Sequence, residues 1–228
     1  SASLVVVFYI SGHGFGHASR SLEVIRALVD RRPGLRVRVK TTAPMWLFDL
    51  ANIPGLSYDA FEADVGMTQT DSLTMDLPDT ARRAADFYRD FDALADGEAA
   101  FLRSAGATLV LGDIPPLAHA AAARAGIPSI AVGNFTWDWI YEGYETFERD
   151  APGVIDTIRD AYRQADRALR LPMHGGFATF ADVVHRWSRH DADHLEPLVL
   201  CDGVERRHGE RRRAEEHDLH PTPLRTTH

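Results

Sequence analysis

Short apolar runs alternate along this chain with longer stretches in which apolar residues recur every three or four positions. The first run, Leu4 to Ile10, is apolar throughout, which predicts a strand buried on both faces of a sheet. A glycine turn follows, and then Ala18, Leu22, Ile25 and Val29 have the spacing of one buried helix face. Repetition of this rhythm predicts an α/β fold: a doubly wound, mainly parallel Rossmann-like sheet with helices on both faces.

The later elements follow from the same two periods. Further strands are predicted at residues 35–41, 56–58, 107–113, 127–133 and 167–172. Helices are predicted at 45–51, from Asp79 or Thr80 to about Ser104, at 115–126 and at 153–166. Alternation with arginines places the strand at 35–41 nearer a sheet edge. Residues 61–80 fit neither period and are rich in turn formers, which predicts a long surface loop of a kind that often carries function.

Residues 1–184 are expected to form the Rossmann-like domain, because hydrophobic periodicity disappears beyond them. Seven of the eleven histidines and the run Arg211 to Arg213 fall in the tail, residues 185–228. Three interpretations of this tail are open. It is a disordered mixed-charge extension, sequence translated out of frame from GC-rich DNA, or a metal-binding segment that uses His190 and His194.

Length and composition narrow the class of protein. A chain of 228 residues, 45 % of them hydrophobic, can bury a substantial core. The formal net charge of −8 argues against nucleic acid as a partner, since phosphate binding needs basic patches. The first apolar run is far shorter than the roughly 20 residues of a membrane span, and no signal-peptide pattern precedes it. The single cysteine, Cys201, cannot form an internal disulfide, so a reducing, cytoplasmic location is expected.

The stretch "SGHGFGHASR", Ser11 to Arg20, joins the first strand to the first helix. Backbone N–H groups of such a turn lie at the carboxyl edge of the sheet, where anions and polar ligands bind. The stretch is not a dinucleotide fingerprint, because Gly12, Gly14 and Gly16 alternate and no acidic residue closes the second strand. It is not a P-loop, because it lacks lysine. Neither NAD nor a nucleoside triphosphate is therefore expected, and no metal or cofactor is predicted.

Two histidines of this turn are candidates for chemistry. A histidine at a helix N-terminus is favoured in its neutral form and can act as a base near neutral pH. Asp113 ends the fourth predicted strand, reaches the same edge of the sheet and could orient such a base. The alternatives are that His13 only caps the turn, that His17 is structural, and that Asp113 caps the helix after it.

A second motif, "NFTWDWIYEGY", follows the fifth predicted strand from Asn134 to Tyr144. Flat aromatic faces suit sugar rings and apolar aglycones, so its aromatic residues either line an acceptor pocket or form ordinary core: Trp137, Trp139, Tyr141 and Tyr144. Asp138, between two tryptophans, is harder to explain as core.

The two motifs together resemble the amino-terminal half of glycosyltransferases with the two-domain GT-B architecture. The closest resemblance is to the glycosyltransferase-like domain that precedes the sugar kinase in plant-type L-arabinokinases and occurs alone in bacteria. It rests on "SGHGFGHASR", on "LVLGDIPPLAHAAAARAGIPSIAVGNFTWDWIY" and on the loop "DVGMTQTDSLTMD", and it covers residues 4–184.

In these enzymes the histidine of a Gly-His pair deprotonates the acceptor hydroxyl, and an aspartate orients that histidine. The resemblance assigns the two roles to His17 and Asp113. It implies that further residues of the motifs bind substrate: Gly12, His13, Gly14, Phe15, Gly16, Asn134, Trp137 and Asp138. It also implies an inverting, metal-free transfer of a sugar from a nucleotide-sugar donor to a small-molecule or glycan acceptor.

The donor binds chiefly to the carboxyl-terminal domain in this architecture, and residues 185–228 do not resemble that domain. The expectation is therefore an acceptor-side half, which could self-associate through its interdomain face. Two alternatives are a non-catalytic sugar- or nucleotide-binding or regulatory domain, and a dinucleotide-dependent enzyme. The identities of the acceptor and the sugar do not follow from the sequence.

Overall fold

Seven strands form one parallel sheet in the computed structural model, which describes residues 4–71 and 74–185. They are β1 (Val5–Ile10), β2 (Arg36–Thr41), β3 (Leu56–Ala60), β4 (Leu109–Asp113), β5 (Ser129–Gly133), β6 (Arg167–Arg170) and β7 (Val183–His185). Their spatial order is β3-β2-β1-β4-β5-β6-β7, and each neighbouring pair is parallel. The chain winds outward in opposite directions from β1 and β4, which confirms the predicted doubly wound fold.

Helices cover both faces of this sheet. They are α1 (Phe15–Arg31), α2 (Met45–Ala51), α3 (Leu77–Arg89), α4 (Phe91–Ser104), α5 (Pro116–Ala125), α6 (Trp137–Glu142), α7 (Glu145–Asp150) and α8 (Val154–Tyr162). Successive side chains of β1 point to opposite faces. Val6, Phe8 and Ile10 pack in a cluster with α1 and α2, whereas Val7 and Tyr9 pack with α4 and α5.

The single helix predicted over 80–104 is wrong, because α3 and α4 meet at Asp90. Aspartate competes with helical backbone hydrogen bonds through its short side chain, and so favours such junctions. The predicted cap at Asp79 or Thr80 is also wrong. Asp76 caps α3, and its carboxylate accepts a hydrogen bond of 2.9 Å from the backbone N–H of Asp79.

Three short elements were not predicted: α6, α7 and β7. They contain six, six and three residues, too few to show a periodic pattern. The strand placed near an edge, β2, lies next to the edge strand β3. β7 pairs with β6 and includes residues on both sides of the predicted domain boundary at residue 184. The boundary itself stays a prediction. The calls for residues 186–228, including a metal site at His190 and His194, lie outside the described residues.

The segment between β3 and α3 folds across the carboxyl edge of the sheet instead of lying wholly on the surface. Ala63, Asp64 and Met67 are buried there, although the described part of the segment contains no helix or strand. An isolated antiparallel bridge joins Gln69 to Met75. We call residues 61–76 the edge segment, and it brings side chains from the third strand's end towards the glycine turn.

Candidate functional site

The glycine turn connects β1 to α1 at the carboxyl edge of the sheet. Gly12 lies so close to Thr42 that a Cβ atom would stand 1.8 Å from the threonine Oγ1. Gly14 has a φ of +72°, a conformation that favours glycine, and it precedes the first residue of α1. Gly16 differs, because a Cβ there would meet no atom within 4 Å. The local structure therefore explains why glycine is required at two of the three positions, Gly12 and Gly14.

His17 and Asp113 are in direct contact at this edge. The ring Nδ1 of His17 lies 2.8 Å from Oδ1 of Asp113, and both residues are buried. Nδ1 also lies 3.2 Å from Nη2 of Arg20, which can only donate, but the contact with the carboxylate is shorter. A carboxylate accepts and does not donate, so we place the proton on Nδ1, which leaves Nε2 of His17 as the basic nitrogen. Among the described residues, Nε2 of His17 makes no hydrogen bond.

Arg20 and Ser21 complete the surroundings of the Asp113 carboxylate. Arg20 donates through Nη2 to Oδ1 at 2.5 Å and through Nε to Oδ2 at 3.0 Å, and Ser21 donates to Oδ2 at 2.8 Å. Burial opposes ionisation of Asp113, but the hydrogen bond from His17 and the charge of Arg20 outweigh it and lower the pKa of this carboxyl. Asp113 is therefore ionised at neutral pH and can stabilise a protonated His17.

Asn134 joins this cluster from the end of β5. Its Oδ1 accepts a hydrogen bond of 2.8 Å from Nη1 of Arg20. The next residue, Phe135, packs its ring edge-on against His17 with the ring centroids 5.2 Å apart. Three strand ends, those of β1, β4 and β5, thus supply one contiguous site.

His13 lies in the same turn but faces the edge segment. Its Nδ1 accepts a hydrogen bond of 3.4 Å from the backbone N–H of Met67, and its ring packs edge-on against Trp137 at 5.8 Å. Gly66, with a φ of +68°, lies against the ring, where a Cβ would stand 2.9 Å from the Cβ of His13. Burial, together with the neighbouring His17, lowers the pKa of His13. His13 is therefore neutral and acts as a support between turn and edge segment.

Asp64 of the edge segment is a buried carboxylate that the sequence analysis missed. Its Oδ1 accepts a hydrogen bond of 3.1 Å from Ser11, and its Oδ2 accepts one of 2.7 Å from the indole N–H of Trp137. Burial raises the pKa of Asp64 to about 6, although the two hydrogen bonds oppose this. Asp64 thus ties the end of β1 to α6.

The aromatic motif divides into a buried and an exposed part. Trp137 and Tyr141 are each 1 % exposed and stack on one another, so these rings belong to the core. Trp139 is 49 % exposed. Asp138 is buried and accepts a hydrogen bond of 2.8 Å from Thr179. Within the part of the chain that the structure describes, it makes no hydrogen bond or ion pair with the His17 cluster.

Two exposed aromatic rings stand at the start of α1 and α2. Phe15 is 58 % exposed and Trp46 is 56 % exposed, with their ring centroids 6.1 Å apart. The resemblance implies that Phe15 binds substrate, and this role stays a prediction. Nothing in the sequence indicated that Trp46 lies beside Phe15, because the two residues belong to different helices.

Arg20 was also missed as a site residue, although it stands within the quoted motif. Its signal was the spacing: a residue three positions after His17 on a helix lies on the same face. Across residues 4–71 and 74–185 there is no group of three or more side chains that could hold a metal ion. In the same ranges, no helix is long and apolar enough to cross a membrane.

Comparison with curated proteins finds L-arabinokinase of Arabidopsis thaliana, which is 35 % identical over 191 residues. The match covers 81 % of this chain and 18 % of the plant enzyme, so the chain spans less than one fifth of that relative's length. No protein-family model matches the chain.

Solved structures with some similarity share little sequence with this chain. MurG of Acinetobacter baumannii is 17 % identical with a TM-score of 0.41, over 82 % of this chain and 48 % of that one. The calicheamicin glycosyltransferase is 14 % identical with a TM-score of 0.46, over 79 % and 53 %. The chain is therefore similar in sequence to one segment of L-arabinokinase, as its motifs indicated.

Proposed function

We propose that this chain is the acceptor side of a glycosyltransferase, which transfers a sugar from a nucleotide-sugar donor to an acceptor hydroxyl. One observation carries the proposal: a histidine whose Nδ1 is held by a buried, ionised aspartate, while its Nε2 keeps its lone pair for a proton. A base of this kind activates a hydroxyl group. The resemblance of its motifs to those of GT-B glycosyltransferases supports the class of reaction.

The chemistry follows from the positions of the protons. Nε2 of His17 takes the proton from the acceptor O–H, and the oxygen attacks the anomeric carbon of the donor. The bond from that carbon to the nucleoside diphosphate breaks, and the diphosphate leaves with the electron pair. The carboxylate of Asp113 stabilises the resulting imidazolium, and its hydrogen bond keeps the ring in place.

Arg20 has a positioning role in this scheme. It neutralises Asp113 through two hydrogen bonds and joins it to Asn134. The donor is expected to be bound chiefly by a second domain, as the GT-B architecture implies. The metal-free reaction, the cytoplasmic location and self-association stay predictions.

The test incubates the full chain with a panel of nucleotide sugars and hydroxyl-bearing acceptors, and follows glycosylated product by mass spectrometry. We expect His17→Ala to reduce transfer by about 10²- to 10⁴-fold, the usual contribution of a general base. Glu23→Ala, on the exposed side of the same helix, is the matched control and should keep the wild-type rate.

Transfer by His17→Ala at the wild-type rate would refute the role of this residue. If the wild-type chain alone forms no product, nuclear magnetic resonance of the histidine rings gives the decision. An acceptor that occupies the site must shift the Nε2 resonance of His17 in the wild type, and no shift with any acceptor would refute the acceptor site.

A further inference from the structure

A cavity lies between α6, α8 and the segment after β6. It has a volume of about 370 Å³ and is lined mainly by Asp138, Trp139, Glu142, Arg159, Arg163 and Thr179. We call it the Trp139 cavity. The reaction scheme proposed above assigns no role to it, although the sequence analysis expected two of its lining residues, Asp138 and Trp139, to contact substrate or to belong to the core.

Trp139 gives this cavity an aromatic wall. About half of the side chain is exposed, and the outer edge of its ring lies against Gly175, where a Cβ would stand 2.4 Å from a ring carbon. At Gly176, with a φ of +85°, a Cβ would stand 2.8 Å from the Cβ of Trp139. Two glycines therefore let the backbone pack against the indole, which fixes the ring and leaves part of it open. A fixed, open aromatic ring suits the apolar face of a sugar.

The charged side chains of the cavity are already paired. Arg159 lies 3.0 Å from Glu142 and 3.5 Å from Asp138, so it bridges both acids. Arg163 forms an ion pair with Asp160, outside the cavity lining. Paired charges favour an uncharged ligand over an ion, because an ion would have to compete with the existing partners.

The polar groups nevertheless offer several hydrogen bonds. Arg163 and Glu142 are both more than half exposed, and although Asp160 and Arg159 pair with them, the guanidinium and the carboxylate keep further hydrogen-bonding positions. Asp138 accepts from Thr179 through Oδ2, but its buried Oδ1 has no hydrogen-bond partner in the structure. Alternating donors and acceptors around an aromatic ring match a polyhydroxylated ring.

The cavity is connected to the His17 cluster through Asn134. The backbone C=O of Asn134 accepts a hydrogen bond of 2.8 Å from the N–H of Gly175, and its side chain accepts from Arg20. A ligand in the cavity therefore lies against the segment that also contacts the site of the proposed base.

We propose that the Trp139 cavity is a subsite for an uncharged sugar ring of the acceptor. This inference adds to the proposed function that the acceptor is a neutral saccharide. It rests on the proposed function for the role of the bound sugar as acceptor. Binding of the sugar itself needs neither a donor nor His17.

The test titrates the full chain with methyl glycosides of D-glucose and D-xylose, and with D-glucuronate as a charged counterpart. The indole N–H resonance of Trp139 reports binding. We expect saturation by a neutral glycoside with a dissociation constant on the order of 1 mM, as is usual for a ligand of this size. Trp139→Ala should weaken binding at least ten-fold, whereas Trp46→Ala, which removes another exposed tryptophan, should leave it unchanged.

Three results would overturn the subsite. These are no shift of Trp139 with either glycoside at about 10 mM, equal loss of binding in Trp46→Ala, or tighter binding of glucuronate than of the neutral glycosides. Because Trp139→Ala could disturb packing against Gly175, Arg163→Ala at the open side of the cavity provides a second variant, and it should weaken binding about three-fold or more.

The His17→Ala variant separates this inference from the proposed function. Sugar binding retained in His17→Ala, with transfer lost, supports both. Sugar binding retained with transfer unaffected refutes the base and keeps the subsite. Transfer lost in His17→Ala, without any sugar bound by the wild type, keeps the base and refutes the subsite.

Discussion

The two histidines of the glycine turn are four residues apart, yet their surroundings differ. His13 accepts a backbone hydrogen bond from Met67 at Nδ1 and packs against Trp137. His17 donates from Nδ1 to the buried carboxylate of Asp113. The hydrogen bonds therefore assign opposite tautomers to two rings in one turn.

This difference shows that the hydrogen-bond partner of Nδ1 determines what each histidine can do more than its place in the motif does. An imidazole that accepts from a backbone amide is a fixed acceptor in the fold, because protonation would break that contact. An imidazole that donates to a carboxylate can take a second proton, because the carboxylate gains a charged partner. The predictions below test the two halves of the turn separately, from the largest effect on stability to the smallest.

Asp113→Asn should give the largest effect, because it breaks the charged cluster around His17. Four donors, one each from His17 and Ser21 and two from Arg20, converge on the carboxylate, and an amide cannot accept from all of them. We expect a loss of about 3 to 5 kcal/mol in the free energy of unfolding, measured in urea, as for other broken buried ion pairs.

The matched control is Asp86→Asn on α3. Asp86 pairs with Arg82 and Arg89 at the surface, so its loss should stay within about 1 kcal/mol. Equal destabilisation by the two variants would mean that the Asp113 cluster is no stronger than a surface pair.

Asp64→Asn tests the contact of the edge segment with Ser11 and with Trp137, whose ring also packs against His13. The folded protein holds the Asp64 proton up to about pH 6, whereas an unfolded chain with an ordinary pKa near 3.8 releases it earlier. Stability from this group is therefore fully present below about pH 4 and is lost as the pH rises to about 6. The loss is about 3 kcal/mol at most, at about 1.4 kcal/mol for each pKa unit.

We expect urea unfolding between pH 4 and 7 to show this loss in the wild type but not in Asp64→Asn. The remaining slope should have the opposite sign, because the pKa of His13 is lowered and acidification then destabilises the fold. Parallel curves for the two proteins would show that Asp64 does not titrate as its burial requires.

The sequence predicted those parts of the site that lie at regular positions. His17 comes after β1 and Asp113 ends β4, and the carboxyl ends of the strands in a doubly wound sheet lie at one edge. The contact between the two side chains could therefore be predicted from the strand and helix periodicities and the sheet topology. The contacts of Asp64 did not, because they join it to residues 53 and 73 positions away through a segment without periodicity. The sequence also did not indicate that Trp137 is buried and Trp139 exposed, because α6 is only six residues long and shows no periodic pattern.

Substitution of Gly12 and Gly16 by alanine should have the smallest effects on stability, and it tests how much space surrounds the two glycines. Gly12→Ala should cost about 1 kcal/mol, because its Cβ must displace the exposed Thr42 side chain. Gly16→Ala should be neutral or should stabilise by up to about 1 kcal/mol, because it lies in α1 with open space around it. If acceptor binding nevertheless weakens in Gly16→Ala while unfolding in urea shows no loss of stability, the open space is the place where the acceptor approaches the helix. Unchanged acceptor binding would show that the acceptor does not contact Gly16, because the added methyl group would then touch neither the protein nor the acceptor.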